Sequence, residues 1–115
     1  MGLSVERSAI VTARFPFSDL TDLRIRPAVV LANAGRGDWV LGQVTANADV
    51  DNLAIELTND SLDQGFLRNV SYFRPNKLFT GSESLITRPV ARLKPGVFNH
   101  LLDATMDILD SNRIR

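Results

Sequence analysis

An arginine stands where a polar loop runs into a strand that must be buried. After Phe15-Pro16-Phe17-Ser18-Asp19-Leu20-Thr21-Asp22 comes Arg24-Ile25-Arg26-Pro27, followed at once by Ala28-Val29-Val30-Leu31. A guanidinium at such a junction stays charged near neutrality and offers a planar fork of donors, which suits it to gripping two oxygens of a carboxylate or a phosphate. The nearest acids are Asp19 and Asp22. Two readings of the group stand together. Arg26 forms an ion pair with one of those acids, or it is held for an anionic ligand while one of them takes a proton, given a neighbour or an apolar wall that raises its pKa. Both acids are also ordinary turn residues whose carboxylates bond to nearby backbone amides.

Other chemistries narrow quickly. The chain has no cysteine, which removes thiolate nucleophiles, disulfides and thiolate metal sites. Its one histidine, His100, lies in a helical pattern beside Asn99 and reads as a surface or packing residue, although its unperturbed pKa suits proton transfer. Neither a metal nor a cofactor is expected. Thirteen lysines and arginines balance thirteen acids, so the molecule as a whole does not carry the charge of a strongly basic nucleic-acid binder. The distribution is uneven: five acids and no base lie between Asp49 and Asp63, whereas six bases and only Glu83 lie between Gln64 and Lys94. That asymmetry allows a local positive face or a set of solvated surface charges. No apolar core follows a basic start, and no apolar run approaches a membrane span, so a cytoplasmic, non-membrane protein is expected.

The elements that must hold these residues are short. At 115 residues the chain fits one domain, 1–115. Ile10 to Phe15 reads as a first strand. Pro27 to Ala32 is a continuous apolar run suited to a central strand buried on both faces, with proline at its first position. Asn33 to Asp38 carries two glycines able to take positive φ and should turn the chain into Trp39 to Thr45, making an antiparallel hairpin. Leu53 to Leu57 alternates, Asn69 to Arg74 is β-branched and aromatic, and Leu85 to Leu93 is a last strand in which Pro89 demands an edge or a bulge. Two apolar rows, Val97-Leu101-Ala104-Ile108 and Phe98-Leu102-Thr105-Leu109, predict a C-terminal helix packed on the sheet, with Asp103, Asp107 and Asp110 opposite. The expected fold is mainly β, a small β-barrel of the SH3-like type with a C-terminal helix. Phe15, Phe17, Trp39, Tyr72 and Phe73 are core residues or platforms for unpaired bases, and Tyr72 and Phe73 must face opposite sides.

Taken in order, several of these segments resemble the MazF/PemK family of small toxin endoribonucleases. They are Phe15-Pro16-Phe17-Ser18-Asp19-Leu20, Arg26-Pro27-Ala28-Val29-Val30-Leu31, Gln43-Val44-Thr45, Gly65 through Arg74 with its Val70-Ser71-Tyr72-Phe73-Arg74, and the Leu93 to Leu109 tail. The likeness spans nearly the whole chain and leans toward the PemK branch. It implies a homodimer of SH3-like barrels of the MazF/PemK/CcdB type. Such a dimer cuts single-stranded RNA at short sequences without metal, leaves a cyclic phosphate and a 5′-hydroxyl, and is checked by a cognate antitoxin in the RNA groove. The family's catalytic arginine maps to Arg26, its hydroxyl residue to Thr45 and its second arginine to Arg74. Asp22 is expected beside the first two as the acid of the site. Asp19, Arg24, Asn76, Lys77 and Tyr72 join Arg74 as expected RNA contacts.

The chemistry supports the mapping. Attack of a ribose 2′-hydroxyl on the adjacent phosphate builds negative charge on the phosphorus oxygens, and a fixed guanidinium with a neutral hydroxyl donor stabilises that charge selectively. An arginine cannot take the 2′-hydroxyl proton, because its pKa is above about 12. Some family members supply a histidine in the first loop and an acid two residues after the second arginine. Here the loop has no histidine, and Asn76 stands in the second place. The first strand also begins Ser8-Ala9 rather than Gly-Asp. These departures motivate a second expectation: a protein on the same scaffold that binds without cutting, either a protein target, as the gyrase-poisoning toxins of this fold do, or RNA.

Overall fold

A computed structural model describes residues 2–15 and 24–115. The strands are β1 (Ala9–Phe15), β2 (Arg24–Gly35), β3 (Asp38–Thr45), β4 (Ile55–Leu57), β5 (Leu62–Gly65), β6 (Ser71–Ser82) and β7 (Ile86–Leu93), followed by one helix, α1 (Pro95–Asp110). They form one seven-stranded sheet in the order β4-β6-β3-β2-β1-β7-β5, and every neighbouring pair is antiparallel. The mainly β fold with a C-terminal helix is the expected one.

β2 is the middle strand, and its apolar run is buried on both faces. Val29 and Leu31 join a cluster with Ile10, Phe73 and Leu93, while Ala28 and Val30 join a second cluster with Val11, Ala13 and Leu41. Alternation along one strand thus feeds two cores. α1 covers the first of them: Phe98 and Leu101 pack among Leu57, Leu62, Phe73 and Leu93, while Asp103, Asp107 and Asp110 remain exposed. His100 is exposed as well.

Strand limits differ from expectation where proline or brevity hides the pattern. β2 begins three residues before Pro27. Its pairing with β3 starts only at Ala28, so Pro27 has a strand neighbour on the β1 side alone and its missing N–H breaks no ladder toward β3. β6 runs on to Ser82 instead of ending at Arg74. Its pairing with β3 jumps from Phe73↔Val44 to Leu78↔Gly42, so Arg74 to Lys77 bulge out opposite Gln43 and Pro75 falls inside the bulge. β5 is four residues with one buried side chain, too little alternation for the sequence to reveal. Pro89 lies between two register shifts in β7, the bulged setting expected for it.

The β2–β3 connection is the tight turn foreseen, with Gly35, Arg36 and Gly37 all at positive φ and Asn33 Oδ1 accepting from the Gly35 amide at 2.7 Å. Arg36 is a poor occupant of that region, which asparagine tolerates. Replacing Arg36 by Asn should raise unfolding stability by about 1 kcal/mol in a urea titration, with an unchanged m-value. Gly65 is the opposite case. At φ +85 it lies so close to β7 that an added Cβ would meet Val90 O at 2.3 Å and Ala91 Cα at 2.5 Å. In the same titration Gly65→Ala should cost about 2–4 kcal/mol.

Candidate functional site

Where burial of β2 ends, its first residues open into a cleft of about 720 Å³ bounded by the end of β3, the β5–β6 connection and β7. Arg26, exposed, and Thr45, half-buried, both line it. Both lie just past the end of the β2–β3 ladder, whose last pair on this side is Ala28↔Gln43: Arg26 is two residues before Ala28 and Thr45 two residues after Gln43. The Thr45 hydroxyl accepts from the Asn47 amide at 3.1 Å, which leaves its own proton available to a ligand.

Among the described residues, the charged groups that line the cleft are all cationic. Arg68 and Arg88 join Arg26 in its lining, all three exposed, and among the described residues that line it there is no Asp, Glu or His. In a chain with no net charge this concentrates positive potential in one concavity. The basic stretch after Gln64 is therefore divided: Arg68 and Arg88 face the cleft, whereas Arg74 is paired to Asp51 and Arg92 to Glu6.

Arg74 is held one step behind the cleft wall. Its Nε and Nη2 donate to Asp51 Oδ2 at 3.3 and 3.2 Å, and its Nη1 donates to Gln43 Oε1 at 3.0 Å. Gln43 itself lines the cleft. Asn76 donates to the same Asp51 oxygen at 3.4 Å. Partial burial works against the Asp51 charge, but the Leu53 amide, Arg74 and Asn76 together outweigh it and hold the carboxyl below the ordinary aspartate value. Both Arg74 and Asn76 lie in the four-residue bulge of β6.

The remaining expected residues scatter. Tyr72 pairs directly with Thr45 on one side and Glu56 on the other, half-buried, while Phe73 is fully buried, so the two rings do face opposite ways. Lys77 is half-buried in the bulge. Asp19, Asp22 and Phe17 lie outside the described residues. Arg24 opens β2 opposite Phe15, and only the backbone of these two is described. Trp39 is far along β3 from Thr45, with Nε1 donating to Glu83 Oε1 at 3.2 Å. Among the cleft residues that sequence reasoning did not assign to the site are Phe66, Arg68 and Arg88. The basic run after Gln64 was the available signal for the arginines. Among the described residues no group of three or more His, Asp or Glu is gathered as metal ligands would be, and no helix is long and apolar enough to cross a membrane.

The sequence matches no family model and no curated protein. Solved structures do match. MazF from Deinococcus radiodurans aligns with a TM-score of 0.71 at 16% identity, covering 95% of this chain and 99% of that one. The Mycobacterium tuberculosis toxin MazF-mt6 aligns with 0.68 at 13%, covering 89% and 96%. An endoribonuclease in complex with its cognate antitoxin, from a mycobacterial species, aligns with 0.67 at 11%, covering 90% and 91%. The structural neighbours of this chain are thus MazF toxin endoribonucleases, as the resemblance implied, and at these identities the likeness establishes a common fold.

Because the Asp51 carboxyl is held below its unfolded value, the stability it contributes is present above about pH 4 and is lost as pH falls through the folded pKa. The difference in unfolding free energy between wild type and Asp51→Asn should therefore be larger at pH 6 than at pH 3, measured by urea titration across that range.

Proposed function

We propose that this chain, which shares its fold with the MazF toxins, is itself a metal-independent endoribonuclease that cuts single-stranded RNA at selected sequences and acts as the toxin of a toxin–antitoxin pair. The observation that carries the reading is the cleft lined by Arg26 and Thr45 together with two further arginines, with no carboxylate among its described lining residues. A phosphodiester backbone is the polyanion such a surface would attract, and its approach would be steered by the local field even though the whole chain is neutral.

In this reading the 2′-oxygen attacks phosphorus, the O2′–P bond forms and the P–O5′ bond breaks, leaving a 2′,3′-cyclic phosphate and a 5′-hydroxyl. Arg26 grips the two non-bridging oxygens as their charge grows, and the Thr45 hydroxyl donates to the same group. Asp22, four residues before Arg26, takes the 2′-hydroxyl proton, and a proton from solvent completes the 5′-hydroxyl. Arg74 acts through Gln43, fixing the amide at the cleft wall. Asn76 supports Asp51 in that arrangement, and Arg24, Lys77, Tyr72 and Asp19 make further RNA contacts. The working unit is a homodimer in the cytoplasm, restrained by an antitoxin that covers the cleft.

Wild-type protein should cut single-stranded RNA in the presence of EDTA, and Arg26→Ala should slow cleavage by about 100- to 1,000-fold or more with an unchanged urea unfolding curve. Thr45→Ala should slow it less. Absence of cleavage in EDTA, or equal rates for Arg26→Ala and wild type, would overturn the assignment. A second reading, a binding protein that does not cut, draws on the lack of any base among the described lining residues. Growth inhibition on expression with transcripts left intact would favour it.

A further inference from the structure

Phe66 is the one aromatic residue lining the cleft among the described residues, and it is 68% exposed. An exposed phenylalanine on a floppy loop would mean little, since single apolar residues on surfaces are ordinary. This one is held rigidly. On its N-terminal side, Gly65 is pressed against the backbone of Val90 and Ala91, an approach that no side chain at position 65 would allow. On its C-terminal side, Leu67 is buried in the main apolar cluster. Both backbone groups of Leu67 are clamped by one side chain: its amide donates to Asn59 Oδ1 at 2.7 Å, and its carbonyl accepts from Asn59 Nδ2 at 3.0 Å.

Asn59 is fixed in turn. It opens the short turn Asn59–Ser61, in which Thr58 and Ser61 cap each other's backbone amides. With Gly65 held against β7 and Leu67 buried, the ring of Phe66 between them is left on the outside of the fold. Burying a ring of this size is worth about 2–3 kcal/mol, and its place in a cleft that also holds Arg26, Arg68 and Arg88 suits a ligand with both a π-face and a negative charge.

Resting on the ribonuclease reading above, we infer that Phe66 is a stacking platform for an unpaired nucleobase of the RNA, next to the phosphate held by Arg26. A paired base has both faces covered by its neighbours in the helix, so a platform of this kind selects single strands by shape and leaves base identity open. The rigid mount matters for affinity, because a preordered ring loses little conformational entropy on binding.

The test is a cycle of two proteins and two probes. The proteins are wild type and Phe66→Ala. The probes are a short 2′-O-methyl RNA of mixed sequence, which cannot be cleaved, and a fully abasic 2′-O-methyl strand of the same length. Wild type should prefer the base-bearing strand. Phe66→Ala should weaken that strand's binding by about 5- to 150-fold and leave binding of the abasic strand within about twofold, since the arginines remain. Phe66→Trp should restore binding, whereas Phe66→Leu should not. Equal loss on both probes, no loss on either, or full rescue by leucine would overturn the stacking role while leaving cleavage by wild type as evidence for the nuclease. If wild type binds neither strand and cuts no RNA, the ribonuclease reading and the platform fall together. Urea unfolding of each variant separates loss of the ring from loss of the fold.

Discussion

Everything at the candidate site depends on one strand being buried on both faces. Val29 and Leu31 of β2 belong to one apolar cluster, and Ala28 and Val30 belong to the other, so the strand can neither rotate nor slip by one residue without turning each set into the wrong core. Arg26 is the second residue N-terminal to that locked segment. Its backbone is placed by packing it does not itself contribute to, and its guanidinium is exposed because burial has just ended. Thr45, two residues past the Gln43 that pairs with Ala28, lines the same cleft. A cation positioned in this way suits transition-state work, because the cost of orienting it is met by the fold and not by the ligand.

The charge pattern follows the same logic of local arrangement. Zero net charge hides a division of labour between arginines. Arg74, Arg92 and Arg113 are paired with Asp51, Glu6 and Asp110, while Arg26, Arg68 and Arg88 are gathered where the described lining has no acid. The Asp51 carboxyl ties the acidic segment after β3 to the bulge of β6, and through Arg74 it holds Gln43 at the cleft wall. Exposed ion pairs contribute little to stability. This one, half-buried and shared with Asn76, also spaces the segment after β3 from the bulge of β6.

Some of this was legible in the residues alone. Arg26 could be singled out because a cation before four apolar residues has few structural reasons to be there, and the opposite orientations of Tyr72 and Phe73 follow from the pleat. The rows Val97-Leu101 and Phe98-Thr105 announced α1 because helical periodicity survives over sixteen residues. β5 and the second half of β6 were not legible. Four residues give a period of two no room to declare itself, and Pro75 argues against a strand unless a bulge is already known to receive it.

Phe66 marks the boundary most clearly. In a linear reading it is one of six phenylalanines and belongs to the core by default. Local preferences along the chain were enough for the class of fold, the central strand, the closing helix and the arginine at its junction, because each of those signals lies within a few consecutive residues. Which arginines are neutralised, which face the cleft and which aromatic ring is kept in water depend on Asn59 reaching Leu67, Asp51 reaching Arg74 and Gly65 touching β7. Those contacts join residues 8, 23 and more than 20 positions apart, and they exist once the strands have paired.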